Sequence, residues 1–295
     1  MTDARPALPI VRSALSMPGS NARALEKARG LACDCVILDL EDAVAAERKA
    51  EARGMVARTL ADGGLEPRYR VVRINPIGGE WGLDDLRALA RSPLDAILVP
   101  KVDSAQDVEG IAGAMATAGF APDVALWVMI ETPASVLALE RIARMARVTP
   151  LGGLVLGAND LSKDAGLLRT PGREALVPVL SQLVMAARAY GLLAIDSVLN
   201  AIGDEDRLRA ECRQGRLFGF DGKMLIHPSQ IAAANEVFAP SEDGLAQAHA
   251  IVAAFEDPAN AGKAVVTVNG QMAEELHRDE ARVLIARAEA IAARG

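Results

Sequence analysis

Eight short apolar runs, each followed by an amphipathic stretch, recur along the first 238 residues, and no other feature constrains the fold as strongly. The runs are 11–17 (VRSALSM), 35–40 (CVILDL), 69–75 (YRVVRIN), 96–100 (AILVP), 124–130 (VALWVMI), 153–157 (GLVLG), 193–197 (LAIDS) and 220–226 (FDGKMLI). Most are rich in β-branched residues and read as strands. The Ala-, Arg- and Glu-rich stretches near 20–30, 46–61, 82–91, 104–118, 133–146, 173–190, 204–214 and 228–237 read as helices. Eight strands, each followed by a helix, is the count that closes a parallel (β/α)8 TIM barrel. An open doubly wound sheet is the alternative. Against it, the turn after the first run reads Pro18-Gly19-Ser20-Asn21, with no G-x-G-x-x-G.

The pattern changes after residue 238. A helical segment at 242–256 leads to a Pro/Asn/Gly turn at 257–262, a short extended stretch at 264–268 and a last amphipathic helix at 274–293. The expected organisation is a catalytic barrel over 1–238 and a C-terminal helical and extended extension over 239–295. The extension is too short for a core of its own, so it should pack on the barrel or on a neighbouring subunit.

Composition narrows the function. Of 295 residues, 51% are hydrophobic but only 3% aromatic, so the core must be aliphatic. A net charge of −7, with no long basic block, argues against a nucleic-acid partner. A polyanionic ligand would need local cations. Cys33, Cys35 and Cys212 fit no disulfide framework and read as buried structural thiols. The first residues carry no charged-then-apolar leader pattern, and no apolar run reaches the ~18 residues of a membrane span. The expectation is a cytoplasmic protein.

Chemistry in such barrels sits at the C-terminal ends of the strands, so polar residues closing apolar runs are the candidates. They are Asp39, Glu41 and Asp42; Arg73; Lys101; Glu131; Asn159 and Asp160; Asp196; and His227. A helix cap or an ion pair would explain any one of them, but seven successive strand ends on one rim are hard to reach by capping alone. Glu131 and Asp160 close adjacent strands, and two hard oxygen donors with the other positions left to water and substrate suit Mg²⁺, or Mn²⁺ in its place. The ordinary readings are an N-cap for Asp160 and an ion pair to Arg73 or Lys101 for Glu131. Arg73 can grip a substrate carboxylate with its planar fork; its ordinary reading is a salt bridge to Glu41 or Asp42. Lys101 could form a Schiff base with a keto substrate, although nearby acids would hold it protonated. His227, before Pro228, reads as a structural hydrogen bond.

The stretches Arg12-Ser13, Pro18-Gly19-Ser20, VILDLEDAVAAERKAEAR (36–53), VRINP (72–76), LVPKVDS (98–104), IETP (130–133), LGANDLSKD (156–164) and GFDGKMLIHPSQI (219–231) together resemble the citrate lyase beta-chain and malyl-CoA lyase branch of the HpcH/HpaI aldolase superfamily. The resemblance runs from about residue 11 to 290. It implies that Glu131 and Asp160 hold Mg²⁺ and that Arg73 grips the keto-acid fragment. It further implies that the Asn159 and Asp160 amides touch that fragment and that Lys27 helps hold CoA; Lys101, at a strand end on the same rim, is a further substrate-binding candidate. Glu41 and Asp42 stand with Arg73 among the catalytic candidates. The resemblance also implies a homo-oligomer, trimer or hexamer, in which a catalytic acid is lent by the C-terminal segment of an adjacent subunit. That segment is Gly270-Gln-Met-Ala-Glu274 here, with glutamate where the pattern has aspartate. Asn21 stands where an arginine is frequent, with Arg23 two residues on.

The implied reaction is a reversible, metal-dependent cleavage of a 3-hydroxyacyl-CoA such as malyl-CoA or citramalyl-CoA into acetyl-CoA and glyoxylate or pyruvate. Alternatives are a malyl-CoA thioesterase using the same residues, with Glu274 as a longer-reaching base for water, a citrate lyase beta subunit dependent on an acyl-carrier partner, and a metal-free aldolase through Lys101.

Overall fold

The computed structural model describes residues 8–294. Eight parallel strands close into a barrel in chain order, the first pairing with both the second and the eighth. They are β1 Ser13–Pro18, β2 Cys35–Asp39, β3 Tyr69–Arg73, β4 Ala96–Val99, β5 Ala125–Ile130, β6 Leu151–Leu156, β7 Leu193–Asp196 and β8 Gly222–Leu225. The helices between and after them are α1 Ala22–Ala28, α2 Lys49–Asp62, α3 Gly82–Leu89, α4 Ala105–Ala118, α5 Pro133–Leu137, α6 Leu139–Arg144, α7 Ala158–Asp164, α8 Val177–Tyr190, α9 Glu205–Phe218 and α10 Ile231–Phe238. This is the expected (β/α)8 barrel. Among the described residues no helix is long and apolar enough to cross a membrane.

Alternation along each strand separates two cores. Cys35 and Ile37, Val71, Ala96 and Leu98, Trp127 and Met129, Val155, Leu193 and Ile195, and Met224 fill the barrel interior. Their neighbours, among them Val36, Leu38, Val72, Ile97, Val128, Leu154, Ala194 and Leu225, pack outward under the helices. Trp127 is fully buried, stacks on Tyr69 at 5.5 Å and lies against Gly153, where an added Cβ would come within 2.9 Å of its ring. Cys33, Cys35 and Cys212 are buried and unpaired.

Helix ends follow local chemistry. Asn21 caps α1, its side chain accepting from the Ala24 amide, which gives the residue at this departure from the family pattern a job in the fold. Ser104 and Asp204 cap α4 and α9 in the same way. The helix α7 answers to no expected helical stretch. Gly157 is at its N-cap, and Asp160 lies in its first turn rather than at the cap.

The chain divides into two compact units, 8–238 and 239–294 of the described residues. The second holds α11 Glu242–Glu256, an antiparallel hairpin of β9 Val265–Val268 and β10 Gln271–Glu274, and α12 Glu275–Ala292. Asn269 and Gly270, both at positive φ (50° and 78°), form the two-residue turn. Val266, Val268 and Ala273 pack against Ala250, Ile251, Ala254 and Phe255 in a small core, which corrects the expectation that the extension is too short to form one.

Candidate active site

Asp39, Arg73 and Glu131 each lie two residues beyond an interior residue (Ile37, Val71, Met129), so the same alternation that fills the barrel points them into its C-terminal mouth. Ser197 continues the interior series on β7. Asp196 and Lys223 belong to the opposite series. They face outward, where Asp196 binds Arg173 (2.8 Å) and Lys223 (3.3 Å), and Lys223 also binds Glu211 (3.0 Å). Asp196 is therefore a structural carboxylate and not part of the rim. Burial pushes its pKa up, but Lys223 and Arg173 outweigh that and hold it below the usual range. His227 caps the turn at Pro228–Gln230, accepting from the Ser229 amide, as its sequence position suggested.

Arg73 is the centre of the acidic side. Its Nε and Nη2 donate to the two oxygens of Asp39 (2.7 and 2.6 Å), a bidentate pair in register across β2 and β3. Its Nη1 lies 2.8 Å from Glu41 Oε2 and 3.5 Å from Asp42 Oδ2. Asp39 in turn accepts from the Glu41 and Ala43 amides, which folds the turn after β2 back over the arginine. Glu41 Oε2 is buried, in ion-pair contact with Arg73 but with no hydrogen bond of its own among the described residues. Burial raises the Glu41 pKa from its ordinary 4.5 to about 7; Arg73 opposes the rise, and the charges of Asp42, Asp39 and Glu131 add to it. Sequence left Asp39 unassigned. Its interior parity was the available signal. Lys49 was missed: buried in α2, it donates to the Leu40 and Glu41 carbonyls (2.9 and 2.7 Å) and sits over the Trp81 ring.

Lys101, Glu131 and Asp160 form the second cluster. Lys101 adopts a left-handed backbone (φ 54°), which turns its amide to Glu131 Oε1 (2.8 Å) and its ammonium between Asp160 Oδ1 (2.7 Å) and Glu131 Oε1 (3.5 Å). Burial lowers the lysine's pKa, but Asp160 and Glu131 outweigh it and hold the ammonium protonated, which removes the nucleophile a Schiff base requires. Burial raises Glu131 above its usual range. An added Cβ at Gly157 would fall 2.4 Å from Glu131 Cβ, so glycine is needed there for the carboxylate to reach the mouth. Two acids sharing one cation, with no third His, Cys, Asp or Glu grouped with them among the described residues, suit a magnesium ion that keeps several waters, and fit poorly with an all-protein cage.

A cavity of about 170 Å³ joins the two clusters, its walls including Asp42, Arg73, Met129, Asn159, Asp160 and Ser197. The Asn159 and Asp160 amides, in the first turn of α7, lack intrahelical acceptors and have no partner among the described residues. Lys27 lies on the exposed face of α1 with no acidic partner among the described residues. Glu274 is in the C-terminal unit, at the start of α12, where its amide donates to His277 Nδ1 (3.0 Å).

Residues 12–228 match the family model for HpcH/HpaI aldolase/citrate lyase. The chain belongs to the HpcH/HpaI aldolase/citrate lyase family. This is an enzyme family, and all the barrel's candidate residues lie within the matched span. A (3S)-malyl-CoA thioesterase of Cereibacter sphaeroides strain ATCC 17025 is 48% identical over 284 residues, 96% of each chain. The citrate lyase subunit beta of Haemophilus influenzae is 34% identical, over 94% of this chain and 96% of the relative. Among solved structures, CitE from Mycobacterium tuberculosis in complex with magnesium, acetoacetate and coenzyme A has a TM-score of 0.76 at 32% identity, covering 96% of this chain and 98% of that one.

Proposed function

We propose that the protein hydrolyses a 3-hydroxyacyl-CoA thioester bearing a free carboxylate, of the (3S)-malyl-CoA type, to the hydroxy acid and CoA. The observation that carries this is the 48% identity, over nearly the whole chain, to a relative named for that hydrolysis, against 34% to citrate lyase beta subunits. Glu131 and Asp160 would hold magnesium, which when bound supplies Lewis-acid polarisation of a substrate oxygen.

The chain's own groups divide the remaining work. The substrate carboxylate takes Arg73 Nη1 from Glu41. Two carboxylates then compete for one guanidinium, and the displaced Glu41, already near neutrality in its pKa, takes up a proton. The Asn159 and Asp160 amides orient the acyl fragment, and Lys27 pairs with CoA phosphate. Glu274, lent by the C-terminal unit of a neighbouring copy in a homo-oligomer, takes a proton from water as its oxygen adds to the thioester carbon. The carbon–sulfur bond breaks as the tetrahedral intermediate collapses, and the CoA thiolate leaves with the proton from Glu274. Exposed Met272, Leu276 and Val283 on the C-terminal unit support such a subunit contact.

Carbon–carbon cleavage to acetyl-CoA and glyoxylate is the second reading, favoured by the citrate lyase relatives. The decisive experiment incubates the protein with (3S)-malyl-CoA and Mg²⁺ or EDTA, and follows malate, free CoA, glyoxylate and acetyl-CoA separately. Malate and CoA in equal amounts without glyoxylate support hydrolysis; glyoxylate with acetyl-CoA would overturn it in favour of the lyase.

A further inference from the structure

A second cavity, of about 280 Å³, lies beside the first, and the two share Asn159, Ser197, Val198 and Asn200 in their walls. The side chains of Asn159 and Asn200 pair reciprocally (3.3 and 3.0 Å), so an amide pair stands where the cavities meet. Asn200 is exposed and Asn159 half-buried.

Three arginines line the second cavity, and two are already neutralised. Arg173 is buried on Asp196 (2.8 Å), and Arg207 pairs with Glu211 (3.3 Å). Arg169 is different. Its Nη2 donates to the Asn159 carbonyl (2.9 Å), which directs the guanidinium toward the shared wall, and it has no acidic partner among the described residues. A chain with seven excess negative charges thus sets one acid-free guanidinium, held in place by a backbone carbonyl, over a cavity of mixed lining, where Leu176, Val198 and Leu199 stand beside Ser162 and Thr170 and the one carboxylate, Glu211, is paired with Arg207.

We propose that this cavity binds a carboxylate on a short aliphatic chain, with Arg169 taking the carboxylate and Leu176 and Leu199 the methylenes. Two sources share that chemistry: the far end of a hydroxyacyl-CoA longer than malyl-CoA, entering past the Asn159–Asn200 pair, or a free short-chain diacid. The first source rests on the reading of the neighbouring cavity as a thioesterase site; the second does not.

The test compares the wild-type protein with Arg169→Gln. By calorimetry, the wild type binds glutarate but not the uncharged glutaramide, and Arg169→Gln weakens glutarate binding at least fivefold. In kinetics, the ratio of kcat/KM for a hydroxydicarboxyl-CoA two methylenes longer to that for malyl-CoA falls at least fivefold in the variant if the substrate's end is the ligand. Glutarate binding that depends on Arg169, with an unmoved ratio, assigns the cavity to a free acid instead. No glutarate binding and no change in ratio, or glutarate and glutaramide binding alike, overturns the proposal. Failure of malyl-CoA hydrolysis itself overturns the thioesterase reading and leaves the calorimetric arm intact.

Discussion

Arg73 meets three carboxylates with one guanidinium, and the way it is shared sets the pH behaviour of the site. Asp39 is fully buried and held bidentately, so Arg73→Ala would leave an uncompensated interior charge at a cost of about 3–5 kcal/mol. Arg73→Lys keeps the charge and loses the fork. It is expected to fold and to lose about 100-fold in kcat/KM, the scale of one or two charge-assisted hydrogen bonds. Glu41 gives a sharper prediction. An acid whose folded pKa (about 7) exceeds its ordinary 4.5 binds more protons folded than unfolded. Its contribution to stability is therefore complete below pH 4.5 and lost as the pH rises through 7. Glu41→Gln should flatten that decline in urea unfolding measured in EDTA. In kinetics, substrate binding coupled to proton uptake predicts a KM that climbs above pH 7 in the wild type and stays level in the variant. A wild-type KM flat from pH 6 to 9 would remove Glu41 from this role.

At the scale of elements, strand alternation decides which polar residues can act. The barrel was legible because eight apolar runs alternated with amphipathic stretches, and each run overlaps a strand of the structure, although β6 begins two residues before its run and β1 ends one residue after its own. The rim was legible at Arg73, Glu131 and Asp160, which close or follow strands. Asp196 looked equivalent along the sequence, but it is one residue out of phase with Ile195 and faces the helices. Lys49 was illegible, since a lysine in an amphipathic stretch reads as solvent-facing, and only the folded turn shows the two carbonyls it satisfies. The Asn269-Gly270 pair is a hairpin signal in the sequence, and β10 follows it where no strand was expected. Two predictions belong here. Lys223→Met strips Asp196 and Glu211 of their shared cation, so unfolding should become easier by about 3–5 kcal/mol in urea titrations, while the kcat of the folded fraction persists. Gly157→Ala drives a methyl into Glu131 from the neighbouring strand, costing about 1–3 kcal/mol of packing. Its metal affinity should fall at least about tenfold by calorimetry, and equal affinity in the variant would mean that Glu131 is not a ligand.

For the molecule as a whole, magnesium held by Glu131 and Asp160, as proposed, would tie stability to metal binding through Lys101. In the structure one ammonium is shared between the two acids. A magnesium ion on the same carboxylates would displace it, so affinity is reduced by whatever the lysine contributes, and removing the lysine should strengthen binding. An ion bound by the folded chain alone stabilises it by about 2.7 kcal/mol at a hundred times its Kd. For a unit of this size that corresponds to a rise in Tm of roughly 5–10 °C. The expected series by scanning calorimetry is a Tm that climbs with MgCl₂ in the wild type and starts lower but climbs at smaller concentrations in Lys101→Met. It should not move in Glu131→Gln or Asp160→Asn, with KCl of matched ionic strength separating the specific effect from screening. If the acid variants respond to magnesium as the wild type does, the ion binds elsewhere, and the pairing of these two carboxylates belongs to Lys101 alone.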